Sequence, residues 1–261
     1  MPWQPIATGV LIVFFLLLGR IWPRTEPAID WKVSAINVGT GAMLAVVRTG
    51  ILIALAAPLA ALDGGLVDLE LVSWVPLQIL LVYILLDFAK YWLHYAHHRV
   101  PALWFFHRTH HSSEHLNATS GLRMHLVDVA QLTLVPIVVF GILFDMSSFH
   151  PWILPGVFVA GAAMDAFEHA NIRIDPKHPF WRTWDLVLNN PHFHSWHHTR
   201  EGAYKDGNYG LGMTIWDRLF GTEVTEDEPP ELYGLGHQWI ALDFIGLQLL
   251  RRRDDRDYDH H

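Results

Sequence analysis

The chain has 261 residues, of which 51% are hydrophobic and 17% are charged, whereas a typical soluble domain carries about 25% charged residues. This composition excludes an intrinsically disordered chain, and the absence of cysteine excludes thiolate catalysis, iron–sulfur clusters and cysteine-based zinc sites. The formal net charge of −8 argues against a nucleic-acid partner, because nucleic-acid binding needs a basic surface.

Long apolar runs are the first feature met along the chain. A membrane-spanning helix needs about 20 mainly apolar residues, and each run reaches that length when its flanking residues are included. Five such runs in so short a chain favour a membrane protein over a large soluble helical core. We therefore predict an all-α fold, an integral membrane helical bundle of about five transmembrane helices. The runs comprise residues 1–19, 37–62, 71–86, 129–144 and 146–164.

The charges of the connecting segments predict how these helices are oriented. Basic connectors alternate with connectors that lack lysine and arginine, as five spans require. Because cytoplasmic loops are enriched in lysine and arginine, we predict an external N-terminus and a cytoplasmic C-terminus. The membrane would be the cytoplasmic membrane of a prokaryote or the endoplasmic reticulum of a eukaryote. Arg48 either lies within the second span or marks a shorter span that starts at Thr49.

Histidine is unusually frequent: the chain has 18, and 15 of them lie between His94 and His198. All of these 15 except His150 fall on the predicted cytoplasmic side. Isolated histidines are more often packed or solvated residues than ligands, and we apply that interpretation to His150. For four other histidines both roles stay open: His97, His115, His125 and His192.

The remaining histidines form groups with a regular spacing. Asp87, His94 and His98 lie on one stripe of the helix that continues the third apolar run, and the pattern His-x-x-His-His begins at both His107 and His194. Histidines at these spacings share a helix face and can direct several nitrogens at one point. Eight or more such ligands exceed the four of a tetrahedral zinc site, so we predict two metal ions. The donor set leaves iron, zinc, copper and manganese open.

Taken together, these motifs resemble the fatty acid hydroxylase/sterol desaturase superfamily of integral membrane di-iron oxygenases. Residues 87–98, 103–112 and 189–198 are similar to its three histidine boxes, and residues 208–222 are similar to its closing segment. The resemblance extends from about residue 87 to residue 222. It implies a cytosolic, helical, histidine-rich cap that holds a dimetal site above the membrane bundle.

The resemblance also implies which residues bind the metals. Some members carry a further histidine where this chain has Asp165, which leaves Asp165 open between a metal ligand, a partner of a ligand and helix packing. Four acidic residues become hydrogen-bond partners of the imidazoles: Asp87, Glu114, Glu168 and Asp217. The implied ligands are His94, His98, His107, His110, His111, His169, His194, His197 and His198.

The implied activity is hydroxylation or desaturation of a lipid C–H bond by two iron ions with O2 as cosubstrate. Zinc can take the place of iron in purified protein. The lipid would be a fatty acyl chain, a sterol or a related isoprenoid or ether lipid, and a separate ferredoxin, cytochrome or reductase would supply electrons. Two alternatives remain, a membrane zinc metallohydrolase and a non-catalytic metal carrier. The chain lacks the His-Glu-x-x-His motif of many zinc hydrolases, and its apolar runs are nearly free of histidine.

We expect one structural unit with three parts. Residues 1–86 form the N-terminal transmembrane helices, residues 87–222 form the histidine-box region with a transmembrane hairpin at about 126–168, and residues 223–261 form a tail.

Overall fold

The computed structural model describes residues 3–60, 65–68, 72–145, 147–200, 206–236 and 244–250. Within these residues the chain is mostly helical, as predicted. The α-helices are α1 (Trp3–Ile21), α2 (Trp31–Ala60), α3 (Val75–Arg99), α4 (Pro101–His107), α5 (Leu126–Val138), α6 (Ile153–Glu168), α7 (Pro179–Trp184), α8 (Pro191–His197), α9 (Ile215–Phe220) and α10 (Phe244–Gln248). Short 3₁₀ turns occupy His110–Ser112 and Ser120–Leu122, and a π-helical turn, Val139–Leu143, extends α5. Parts of the predicted tail, residues 237–243 and 251–261, lie outside the described residues.

Four helical segments among the described residues are long and apolar enough to cross a membrane: Gln4–Ile21, Trp31–Ala56, Val75–Arg99 and Leu126–Leu143. They correspond to the first four predicted runs. The fifth run, residues 146–164, overlaps α6, which begins only at Ile153, has 16 residues and is about 24 Å long, so the fifth crossing stays a prediction. Arg48 lies inside the continuous helix α2, with its guanidinium 5.8 Å from the centre of the Phe158 ring on α6.

The connectors of the long helices meet at two opposite ends of the bundle. At one end Pro23, between α1 and α2, pairs with Ile172, which follows α6. At the other end β1 (Val67–Asp68) pairs in parallel with β2 (Phe144–Asp145). The apolar helices therefore alternate in direction along the chain, and the histidine-rich segments gather at the end that holds Pro23.

Buried side chains join the helices in pairs. α1 packs on α6, α2 packs on α5, and α3 packs on α4, α5 and α6. Val82 and Leu86 of α3 form a core with Ile153 and Val157 of α6. These contacts fix the end of α3 beside the end of α6, where the histidines of both helices lie.

The buried Asn37 of α2 contacts the histidine-rich region. Asn37 is fully buried, and its amide nitrogen donates to the Thr119 hydroxyl at 3.0 Å. Its carbonyl oxygen accepts from the Arg123 guanidinium at 3.4 Å. Polar groups of membrane helices normally face the protein interior in this way. The contacts tie α2 to the loop that carries the second histidine box.

Candidate metal centre

The nine histidines singled out as ligands by the sequence come together in two groups at one end of the bundle. The five-histidine cluster contains His94, His98, His107, His111 and His197, and the four-histidine cluster contains His110, His169, His194 and His198. Within each cluster, one ring nitrogen of every member lies within 4.8 Å of those of the other members. All nine are buried except His98, which is half-buried.

Each His-x-x-His-His motif contributes to both clusters. From the first motif, His107 and His111 join the five-histidine cluster while His110 turns to the other. From the second, His197 joins the five-histidine cluster while His194 and His198 turn away from it. The two clusters therefore share the same short segments, which is the arrangement expected for two neighbouring ions.

Helix α8 is set in place by its first residues. The Asn190 side chain accepts hydrogen bonds from the backbone N–H groups of His192 and Phe193, at 2.8 and 3.0 Å, and Pro191 occupies the first helical position. An Asn cap followed by proline is a strong helix start. Because the helix has only seven residues, this cap determines where the histidines of the third box point.

Backbone carbonyls select the tautomer of four of the histidines. The Nδ1–H groups of His94 and His197 donate to the carbonyls of Tyr209 and Gly207, at 2.8 and 2.9 Å. In the other cluster, Nδ1–H of His110 donates to the Arg123 carbonyl at 3.3 Å, and Nδ1–H of His169 donates to the Asp165 carbonyl at 2.7 Å. With Nδ1 protonated, each ring presents an Nε2 lone pair to its cluster.

The four-histidine cluster has the dimensions of a metal site. Nε2 of His169 lies 3.3 Å from Nε2 of His110, 3.1 Å from that of His194 and 3.3 Å from that of His198. His110 and His169 both carry their proton on Nδ1, so their Nε2 atoms cannot hydrogen bond to each other and their lone pairs repel. A tetrahedral ion with bonds of about 2.0–2.1 Å to nitrogen places its ligands about 3.4 Å apart. The residues therefore fit a bound cation.

The five-histidine cluster leaves ring nitrogens without hydrogen bonds. The Nε2 atoms of His94, His98, His107, His111 and His197 are buried and have no hydrogen-bond partner. Burying a polar nitrogen without a partner costs free energy, and metal coordination removes that cost. This donor set also fits a metal ion.

Burial also sets the protonation state of these rings. It lowers the pKa of six of the histidines well below the usual value, and repulsion from neighbouring imidazoles adds to the effect. Neutral imidazole is the form that binds a metal, so the rings are ready to bind at neutral pH. The six are His107, His110, His111, His194, His197 and His198.

The acidic residues predicted near the site have distinct positions. Asp165 Oδ1 lies 3.6 Å from His169 Nδ1, on the side of the ring that faces away from the cluster. Asp87 accepts from the backbone N–H of Met213 and from the indole N–H of Trp216, and belongs to neither cluster. Glu168 Oε1 lies 4.0 Å from His194 Nε2.

The other two predicted acids contact backbone groups or an arginine and belong to neither cluster. Asp217 accepts from the backbone N–H groups of Tyr209 and Gly210, at 2.7 and 2.8 Å, so it supports the segment that holds His94. Glu114 is exposed, with a carboxylate oxygen 4.0 Å from the Arg200 guanidinium.

The four histidines whose roles stayed open lie in neither cluster. His97 donates to the Gln131 side chain at 2.7 Å, and His125 and His192 donate to backbone carbonyls at 2.9 and 2.7 Å. His115 is half-buried. His97 also stacks on His107, with ring centres 4.6 Å apart.

One acidic residue near the clusters was missed in the sequence. Asp128, in the first turn of α5, is buried, and its Oδ2 lies 3.7 Å from His107 Nδ1. The sequence feature that could have identified Asp128 is a single acidic residue at the start of an apolar run. Such a charge is costly in lipid and normally faces protein.

Comparison with known proteins identifies a matching family. The model of the fatty acid hydroxylase family matches residues 79–222, more than half of the chain and all of both clusters. Alkylglycerol monooxygenase of Xenopus tropicalis is 32% identical over 181 residues, which are 65% of this chain and 35% of that protein.

Two further relatives act on other lipids. A fatty acid hydroxylase of a Lecanicillium species is 31% identical over 60% of this chain and 44% of its own length. An ornithine lipid hydroxylase of Rhizobium tropici is 32% identical over 56% and 41%. The matched region thus spans less than half of each relative. No solved structure matches the chain.

Proposed function

Because the chain belongs to the fatty acid hydroxylase family, we propose that it is a membrane-bound, O2-dependent di-iron oxidoreductase that hydroxylates a C–H bond of a lipid. The observation that carries the proposal is the pair of buried histidine clusters built from shared His-x-x-His-His motifs. A single-zinc hydrolase would leave half of these ligands unused, and a carrier would line a path through the bundle with ligands.

The nine histidines of the two clusters would hold the two iron ions. When bound, the iron pair supplies the activation of O2 and the cleavage of an unactivated C–H bond. The protein orients the ligands: the carbonyls of Tyr209 and Gly207 direct Nε2 of His94 and His197 into one cluster, and those of Arg123 and Asp165 do the same in the other. Because eight of the nine histidines are buried, the site would limit the access of bulk water to the bound ions.

Trp104 marks the side from which we propose that the lipid approaches. Its half-buried ring lies beside His98 and His111, with ring centres 5.2 and 5.5 Å apart. It stands on α4, directly after the membrane-spanning helix α3. A lipid chain that leaves the bilayer along α3 would therefore contact the Trp104 ring beside the five-histidine cluster.

The relatives support a lipid substrate and hydroxylation as the outcome. Their names specify alkylglycerol, fatty acid and ornithine lipid, and each is a hydroxylase or monooxygenase. We propose hydroxylation ahead of desaturation on that basis. Electrons would come from a separate ferredoxin, cytochrome or reductase, with the site on the cytoplasmic face of a multi-pass membrane protein.

The test compares lipid extracts from cells that express the wild-type chain or a His194→Ala variant, grown under ¹⁸O2. We expect a lipid that gains one ¹⁸O atom in wild-type cells only. A new double bond without ¹⁸O would indicate a desaturase, and a lipid cleaved with oxygen from water would indicate a hydrolase. An unchanged lipid profile with altered cellular metal content would indicate a carrier. Each of these results would contradict the proposal.

A further inference from the structure

Each histidine cluster has one buried carboxylate beside it. Glu168 is 1% exposed and stands at the end of α6, directly before His169. Its Oε2 accepts from the Asn189 amide at 2.8 Å, while its Oε1 has no hydrogen-bond partner. That free oxygen lies 3.9 Å from His169 Nδ1 and 4.0 Å from His194 Nε2. Because His194 Nε2 is a cluster-facing nitrogen, the second distance places this oxygen beside the four-histidine cluster.

Asp128 has the equivalent place beside the five-histidine cluster. It is also 1% exposed, and its side-chain oxygens lack a well-formed hydrogen bond, with only a weak interaction from the backbone N–H of His125. Oδ2 lies 3.7 Å from Nδ1 of His107, a nitrogen that has no hydrogen-bond partner. His94 and His197, in the same cluster, have backbone carbonyls at that atom instead.

The charges explain why both carboxylates are buried. A buried carboxylate is strongly unfavourable unless a cation compensates it. Lys90 on α3 attracts Glu168 from farther away, but Asp87 and Asp165 repel it. The nine histidines are neutral ligands, so two divalent ions bound to them would bring four positive charges into a buried site. Carboxylates hydrogen-bonded to metal-binding histidines are a common means of raising ligand basicity.

We propose that Glu168 and Asp128 are the counter-charges of the two metal ions, one for each cluster. Asp128 orients His107 through Nδ1, and Glu168 compensates the ion of the four-histidine cluster from beside His169 and His194. Both are positioning residues, and the inference rests on the proposed dimetal centre.

The test uses the full-length chain purified in detergent and loaded with Fe²⁺ without oxygen. Glu168→Gln and Asp128→Asn remove the charge and keep the shape. We expect each to weaken the binding of one of the two ions by about 10–100-fold in chelator competition. The melting temperature of the metal-free protein should stay unchanged or rise, because a neutral amide is easier to bury than a charge.

Two further variants separate charge from structure. Glu223→Gln is the control, because Glu223 pairs with the partly exposed Arg218 and belongs to neither cluster. This control should bind both ions with an affinity within about twofold of the wild type. That change is much smaller than the loss of about 10–100-fold expected for the two amide variants. Glu168→Asp keeps the charge and should bind more tightly than Glu168→Gln.

Three outcomes would overturn the inference. Unchanged metal affinity in both amide variants, with a lower metal-free melting temperature, would give the carboxylates a structural role only. Three ions in the wild type and two in Asp128→Asn would make His97, His107 and Asp128 a third metal site. Fewer than two ions per loaded wild-type chain would overturn the dimetal centre itself, and that result is visible before any variant is compared.

Discussion

Asp217 and Tyr209 form the link between the closing segment and the five-histidine cluster. The backbone N–H of Tyr209 donates to Asp217 Oδ1 at 2.7 Å, and the carbonyl of the same residue accepts Nδ1–H of His94 at 2.8 Å. The carboxylate therefore holds the peptide that orients a metal-binding ring. Burial raises the pKa of Asp217 to about 6, and hydrogen bonds from Thr222 and two backbone N–H groups partly offset that rise.

Asp217→Asn should weaken metal binding at the five-histidine cluster. The new amide cannot accept from both Tyr209 and Gly210, and a buried unpaired N–H costs about 1–3 kcal/mol. We expect a similar loss in the free energy of unfolding and about tenfold weaker binding of one ion, as for other residues behind metal ligands. Chelator competition and thermal melting measure the two effects.

The control for that variant is Glu223→Gln. Glu223 directly follows the closing segment and pairs with the partly exposed Arg218 at 2.7 Å. Partly exposed ion pairs contribute little, so stability should change by less than about 1 kcal/mol and metal binding should stay unchanged. Equal metal affinity in Asp217→Asn and Glu223→Gln would disprove the positioning role of Asp217.

Asn190→Ala should affect both clusters at once. It removes the cap of α8, which carries histidines of both clusters, and loss of an Asn cap costs about 1 kcal/mol. We expect weaker binding of both ions, measured by metal titration. Asn190→Ser retains a capping oxygen and should keep most of the wild-type affinity. If Asn190→Ala weakened the binding of only one ion, the cap would not position the histidines of both clusters.

Acid should destabilise the metal-free protein. Burial lowers the pKa of His107, His110 and His111, and of the three cluster histidines on or next to α8, so the folded state binds fewer protons than the unfolded state. Stability should be level above the unfolded histidine pKa of about 6.5 and fall as the pH drops below it. Melting temperatures from pH 8 to pH 5 measure this, and a rise on acidification would contradict the burial of neutral rings.

Metal removal should lower the melting temperature, and reloading with Fe²⁺ should restore it. An ion that binds the folded chain alone stabilises it by about 4 kcal/mol when its free concentration is 1,000 times the Kd. The loss should be largest near neutral pH, because protons compete with the ion at lower pH. If the melting temperature changed with neither chelator nor Fe²⁺, that result would argue against a buried metal site.

Single cysteines can test the orientation in the membrane, because the chain contains none of its own. Ser148→Cys lies in the exposed connector between α5 and α6, and Thr225→Cys lies at an exposed position after α9. With an external N-terminus, an impermeant maleimide should label Ser148→Cys in intact cells and Thr225→Cys only after permeabilisation. The opposite pattern would reverse the predicted orientation.

Trp104→Ala should impair substrate binding and leave the metals in place. Removing the Trp104 ring beside His98 and His111 should raise the KM for the lipid about tenfold, as expected for a lost apolar contact. Phe105→Ala is the control, since Phe105 is 47% exposed and lies under the Arg108 guanidinium. Kinetics with O2 uptake and metal analysis give both readouts. An unchanged KM would place the lipid on another side of the site.

Local patterns in the sequence predicted four membrane-length helices and both His-x-x-His-His motifs, and the family resemblance supplied the full set of nine histidines. The first four apolar runs predict membrane-length helices through their own length. Each His-x-x-His-His motif concentrates three imidazoles within five residues, but the expected common helix face was wrong, because α4 ends at His107 and the rings of each motif divide between the two clusters. Both signals lie within a few residues of chain, so they are readable without knowing how the helices pack.

Tertiary packing decided how those histidines divide and what surrounds them. The division of each motif between two clusters depends on where α3, α6 and α8 meet. The carbonyls of Tyr209 and Arg123, which accept hydrogen bonds from His94 and His110, are brought to these rings by loops. Asp128 is invisible as a partner of His107 because the two lie 21 positions apart on different helices. Backbone acceptors leave no side-chain signature, so only the folded chain reveals which atoms orient the metal-binding rings.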